Sequence, residues 1–222
     1  MPSPHAHICR LLPGTVDRSS APEGPRDYNG ASVQPPANKL KIAFIGSHGV
    51  GKTTLCYGLA ARLKARDVSV EVVREVARRC PLPINQETGV AAQSWILHSQ
   101  IAEELAAESS YPVVICDRSV LDNYVYLLLA SGRQAALENL LDHWLRTYDL
   151  LVYIPVIEHP AADGVRATDP AFQNAVDERL RAELAERGLH ALPLDPGARA
   201  EWVDAVEAEA FRLLRPPQLE LL

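Results

Sequence analysis

The stretch "IAFIGSHGVGKTTLCYGLAARL", from Ile42 to Leu63, constrains the fold of this chain more than any other. Ile42 to Ile45 is apolar at every position, the pattern of a strand covered on both faces rather than of a half-exposed one. Gly46-Ser47-His48-Gly49-Val50-Gly51-Lys52-Thr53 then matches G-x-x-x-x-G-K-[ST], the loop that cradles phosphates between a strand and a helix. A helix is expected from about Lys52, with Leu55, Leu59 and Leu63 along one stripe and Cys56 and Ala60 beside it. Glycines allow the backbone N–H groups of the loop to turn inward, and the helix start adds the positive end of its dipole. The spacing assigns Lys52 to the β- and γ-phosphates and the Thr53 hydroxyl to Mg²⁺, with Gly46 through Thr54 as the nucleotide-binding segment.

Composition narrows what surrounds this loop. A chain of 222 residues with 47% hydrophobic and 23% charged residues is large enough for one domain with a substantial core. A net charge of −6, with no basic stripe interleaved with aromatics, argues against nucleic-acid binding. It does not oppose a small anionic ligand, which needs only local donors. Cys9, Cys56, Cys80 and Cys116 form no CxxC pair and read as reduced thiols. No apolar run reaches membrane-helix length and the first residues lack the apolar core of a signal peptide, so a cytoplasmic protein without a membrane partner is expected.

Residues 1–38 hold seven of the 17 prolines and no sustained periodicity, the pattern of a disordered tail. From Leu40 strands and helices alternate, as in α/β proteins with a parallel sheet, giving a single domain over 39–215 and a short tail over 216–222. Strands are expected at Val68–Val73, at the end of "YPVVICD" (Tyr111–Asp117), at Leu150–Ile154 and at His190–Leu194. The second strand alternates and the fifth contains Pro193, which places both at sheet edges. Helices are expected from Val90 to about Ser109, near 120–130, over 135–147, and along Trp202, Val206, Ala210 and Leu213. In the helix from Val90, Leu97, Ile101 and Leu105 define the expected inner face, and Trp95 reads as core. Tyr124 and Tyr126 sit two apart, so at most one is expected to look inward.

Asp117, at the C-terminal end of its strand, is placed like the Walker B carboxylate that holds Mg²⁺ directly or through water. Arg118 follows it where many ATPases carry a water-polarising Glu, and a guanidinium suits a substrate oxygen or phosphate better than it suits water activation. Neither NKxD nor TKxD occurs, so ATP is the expected nucleotide.

"CDRS" (Cys116–Ser119) resembles the DRS or DRY segment of deoxynucleoside and thymidylate kinases. "REVAR" (Arg74–Arg78) resembles the segment after the second strand in nicotinamide riboside kinase domains. With "GSHGVGKTT" and "DGVRATDPAF" (Asp163–Phe172), the chain from about 41 to 185 is similar to the nicotinamide-riboside-kinase-like group of P-loop, AAA-type ATP-binding proteins. The resemblance implies an α/β three-layer sandwich with a parallel five-stranded sheet of order 2-3-1-4-5 and helices on both faces.

The same resemblance points to the acceptor side. Glu75, just beyond the second strand, is implied to contact the acceptor and take its hydroxyl proton, and Arg78 to contact acceptor or phosphate. Gln100 resembles glutamines that read a base, a role an amide's paired donor and acceptor suit. Over a lid at about 158–172, Gly164 is a hinge, Arg166 stabilises charge on the transferring group, and Asp169 and Pro170 start the next helix. The reading is ATP- and Mg²⁺-dependent transfer of the γ-phosphoryl group to a nucleoside-like or nucleotide-like small molecule, with nicotinamide riboside among the candidates. The catalytic set is Lys52, Glu75, Asp117 and Arg166, the metal set Thr53 and Asp117, and the acceptor set Glu75, Arg78, Gln100 and Arg118. An ATP-dependent switch or weak NTPase acting on a partner protein remains the alternative.

Overall fold

The computed structural model describes residues 39–157 and 169–214. Five parallel strands, β1 (Leu40–Ile45), β2 (Val70–Val73), β3 (Val113–Asp117), β4 (Leu150–Tyr153) and β5 (Leu192–Pro193), form one sheet in the order β2-β3-β1-β4-β5. The expected order is therefore the observed one, with the alternating and proline-bearing strands at the edges. Both edge strands are shorter than their sequence pattern. The Val68 N–H caps the preceding helix by donating to the Leu63 carbonyl, which removes it from β2. Pro193 has no N–H to extend β5, whose pairing covers only Leu192 and Pro193.

Helices α1 (Lys52–Lys64) and α6 (Trp202–Leu214) cover one face of the sheet. Helices α2 (Val90–Ser110), α3 (Val120–Ser131), α4 (Ala135–Leu145) and α5 (Pro170–Glu186) cover the other. β1 shows why an unbroken apolar run was needed. Leu40, Ile42 and Phe44 join the α1/α6 core, while Ala43 and Ile45 join the core under α2 to α5. Among the described residues, no helix is long and apolar enough to cross a membrane.

Two side-chain expectations fail in the second core. Leu105 is 53% exposed and Trp95 36%, whereas the buried face of α2 carries Gln93, Gln100 and Glu104 beside Ile96 and Leu97. Glu104 makes polar residues tolerable there. It accepts hydrogen bonds from Gln100 Nε2 (2.8 Å), Trp144 Nε1 (2.7 Å) and the Tyr148 hydroxyl (2.8 Å), and pairs with Lys41 Nζ at 3.3 Å. Both Tyr124 and Tyr126 are buried, because α3 is enclosed by α2, α4 and α5 as well as by the sheet. The Tyr124 hydroxyl bonds Glu138, at 2.5 Å, and that of Tyr126 meets His48.

Candidate active site

The loop between β1 and α1 takes a path that only glycine follows easily. Gly46 has φ 150°, and a Cβ there would lie 2.6 Å from the Ile154 carbonyl oxygen. Gly51, with φ 96°, is the N-cap of α1 and offers no side chain, so nothing caps the first-turn N–H groups and no acid stands among them. An uncapped helix start behind a glycine loop is an anion site. Lys52 is buried, and its Nζ donates to the Gly46 and Ser47 carbonyls at 2.7 and 2.5 Å. Burial, and then the nearby Arg118 charge, bring its pKa down to about 8. Ser47, His48 and Val50 are buried and Thr54 is exposed.

The loop is held from two sides by residues with no motif signal. On α3, Asp122 accepts from the Gly46 N–H at 3.0 Å with one oxygen. With the other it accepts from the Ser119 N–H (2.9 Å) and hydroxyl (2.8 Å), closing the capping box of α3. On α5, Ser47 Oγ donates to the Gln173 carbonyl (2.8 Å), and Gln173 Nε2 donates to the His48 carbonyl (2.9 Å). Asp169 caps α5 by accepting from the Ala171 N–H at 2.9 Å.

Thr53 and Asp117 meet where β3 ends beside the start of α1. Thr53 Oγ1 donates to Asp117 Oδ2 at 2.6 Å, so a hydroxyl and a carboxylate, both hard oxygen donors, lie side by side at the mouth of the phosphate loop. Among the described residues no group of three or more His, Cys, Asp or Glu side chains is placed to hold a metal by itself. That donor set fits Mg²⁺, which takes one or two protein oxygens and completes its octahedron with water and phosphate oxygens.

Directly after Asp117 the backbone turns sharply: Arg118 has φ 103°, a conformation that costs about 1–3 kcal/mol for a residue other than glycine. The turn sends its side chain inward, where it is 5% exposed, and Nε donates to Glu75 Oε1 at 2.7 Å. The other Glu75 oxygen accepts from Arg78 Nε at 2.7 Å. Burial opposes the charge on Glu75. The neighbouring charges of Arg118 and Lys52 and the two arginine hydrogen bonds outweigh it and hold the pKa at about 2.

Glu75, Arg78 and Arg118 line a pocket of about 430 Å³, mouth included, whose other walls include His48, Gln93, Ile96, Asn123 and Tyr126. Glu75 and Arg78 also line a second pocket that contains Thr53 and Asp117, so the carboxylate stands between the metal-side residues and the enclosed space. Gln100 does not line either pocket. Its amide is turned to Glu104 and, at 3.3 Å, to the Arg118 carbonyl, supporting the turn from behind. The amide on the pocket wall is Gln93, two α-helical turns earlier on the same face. Its Nε2 donates to Thr88 Oγ1 at 2.8 Å, and its Oε1 is buried without a hydrogen-bond partner. His48, a variable position of the loop motif, also has a side chain in the wall, with Nδ1 3.1 Å from the Tyr126 hydroxyl and its ring 5.8 Å from that of Phe172. Arg166 and most of the expected lid lie outside the described residues.

An AAA domain family model matches residues 41–201, most of the chain. The chain belongs to the AAA domain family. No curated protein matches its sequence. Among solved structures, this AAA domain is similar to deoxyadenosine kinase from M. mycoides with bound dATP, at 14% identity and a TM-score of 0.54, over 78% of this chain and 99% of that one. It is similar to NadR protein in complex with NR at 23% identity and a TM-score of 0.60, covering 77% of this chain and 51% of that one. It also resembles thymidylate kinase from Ehrlichia chaffeensis at 18% identity and a TM-score of 0.54, over 80% of this chain and all of the other. The sheet order, the glycine loop and these likenesses give the AAA domain described here a P-loop kinase-like fold.

Proposed function

We propose that this AAA domain transfers the γ-phosphoryl group of ATP, with Mg²⁺, to a nucleoside-like or nucleotide-like small molecule. The observation that carries the reading is the position of Glu75, shared between the enclosed pocket and the Thr53–Asp117 side of the phosphate loop. An acceptor hydroxyl in that pocket has a carboxylate to meet and faces the place where a terminal phosphate would lie. The deoxyadenosine kinase and thymidylate kinase likenesses support the same class of reaction.

Bound ATP would supply the phosphoryl group, and Mg²⁺ held at Thr53 and Asp117 would supply charge neutralisation. With nucleotide bound, Lys52 would leave the two loop carbonyls for phosphate oxygens, and Thr53 and Asp117 would hold the metal. Glu75, with its pKa held at about 2, is a weak base but a firm hydrogen-bond acceptor. Its part is to orient the acceptor hydroxyl and receive the proton late, as a loose phosphoryl-transfer transition state allows. Arg118 fixes Glu75 and offers a guanidinium where a hydrolase would place a water-activating carboxylate. Arg166 is assigned the closing cation by resemblance.

Incubation with labelled ATP, Mg²⁺ and a panel of nucleosides, nicotinamide riboside and nucleoside monophosphates tests the reading: at least one should be phosphorylated. Lys52→Ala should abolish transfer, and Glu75→Gln should lower it at least tenfold with ATP affinity retained. Hydrolysis without any acceptor, stimulated only by a partner protein, would overturn it.

A further inference from the structure

The chemistry of the enclosed pocket restricts the charge of the ring it can hold. Among the described residues, its lining includes one carboxylate, Glu75, and two guanidiniums, Arg78 and Arg118. Each Glu75 oxygen already accepts from one arginine, so its charge is neutralised although a hydroxyl can still donate to a remaining lone pair. The two acids nearby are engaged elsewhere: Asp117 with Thr53, and Asp122 with Gly46 and Ser119. Among the described residues, a positively charged ring entering this space finds no unpaired anion.

Among the described residues, the tyrosine ring on the pocket wall already has a cation beside it. The Arg118 guanidinium sits 5.7 Å from the Tyr126 ring centroid, and the Phe172 and His48 rings close in at 5.9 and 6.4 Å. The cation–π position on Tyr126 is filled by the protein's own cation. What the wall does offer is one acceptor and one donor. Gln93 Oε1 and Arg118 Nη1 are both buried and both lack a hydrogen-bond partner, on residues 4% and 5% exposed. Unmet buried polar atoms of opposite sense favour a guest that satisfies both.

We propose that the pocket selects an uncharged heterocycle, one that donates an N–H to Gln93 and accepts a hydrogen bond from Arg118, and rejects cationic pyridinium rings. Amino-bearing nucleosides of the adenine or cytosine type fit this description, and so does a neutral carboxamide ring. The assignment rests on the acceptor reading of the same pocket. It sets this AAA domain apart from a preference for nicotinamide riboside, whose ring carries a fixed positive charge.

A matched pair of ligands isolates charge from shape: nicotinamide riboside and its reduced, uncharged dihydro form keep the same sugar and carboxamide. Calorimetry on the unmodified protein without ATP should find the dihydro form, adenosine or cytidine bound at least tenfold more tightly than the cation. Equal or tighter binding of the cation overturns the proposal, and so does failure of every neutral ligand to bind. Gln93→Glu, with folding followed by thermal melting, should reverse the order by adding a free carboxylate. If that variant does not fold, the matched pair decides alone. A preserved preference without phosphoryl transfer would defeat the kinase reading and leave this assignment standing.

Discussion

Replacing Glu75 by glutamine should change stability in a way that depends on pH. The wild-type carboxylate has its pKa lowered from 4.5 to about 2 by Arg118, Lys52 and Arg78, against the cost of burial. A depressed carboxylate pKa means stability that is fully present above the unfolded value and lost as pH falls through the folded one. At about 1.4 kcal/mol per pH unit, the shift corresponds to about 3 kcal/mol at neutral pH. The buried Arg118 left without its carboxylate in the variant is the same interaction seen from the other side, so it is not added again. Urea denaturation from pH 7 down to pH 2 should therefore show the variant about 3 kcal/mol less stable at neutral pH. The two curves should converge below about pH 4.5 and nearly meet at pH 2. Other acidic groups titrate in both proteins, so the difference curve isolates Glu75. Parallel curves, or equal stability at pH 7, would refute the argument that Glu75 is an ionised, doubly bonded partner of the two arginines.

Lys52, lowered to about 8 by burial and by Arg118, should need protonation to meet phosphate oxygens. Calorimetry in buffers of different ionisation heat should show ATP affinity falling, and proton uptake on binding rising, as pH passes about 8; a flat profile well above pH 8 would oppose this. Glu104→Gln puts an amide among three hydrogen-bond donors while Lys41 keeps its 2.6 Å pair with Glu108, so the loss should be that of an unsatisfied buried polar group, about 1–3 kcal/mol in urea denaturation. A loss under about 1 kcal/mol, the size of a surface ion pair, would contradict that account. Leu97→Ala should cost about 2–5 kcal/mol while Leu105→Ala stays within about 0.5 kcal/mol, and comparable losses would place the buried stripe of α2 elsewhere.

The sheet could be read from the sequence because each strand's environment is written in its own residues. The unbroken Ile42–Ile45 run requires two covered faces, and Pro193 cannot sit in a central strand. The phosphate loop was legible because its geometry demands glycine at fixed positions, as the approach of Ile154 to Gly46 shows. The inner face of α2 was not legible in this way. Glu104 looks solvated until Lys41, Trp144 and Tyr148 arrive from up to 63 residues away, and nothing in the helix's own pattern announces them. Gln93 and Gln100 show the same limit at the pocket. Both lie on the buried side of α2, and only the position of Arg118 decides which amide faces the enclosed space and which supports the turn. His48 and Gln173 gave no signal beyond their polarity, Gln173 lying on a charge-rich helix; for Asp122 the clue available was a carboxylate three residues after Ser119 at the start of an apolar helix.

The carboxylate of Asp122 gives the two halves of the pocket a common anchor. One oxygen fixes the first residue of the phosphate loop, and the other fixes the turn that carries Arg118 into the pocket it shares with Glu75 and Gln93. A loss of that carboxylate should therefore loosen the glycine loop and the Arg118 turn together. For anyone reshaping the pocket beside Arg118, α3 is not a neutral place to begin: a substitution that moves Asp122 should disturb the glycine loop in the same stroke, and the two effects should not add.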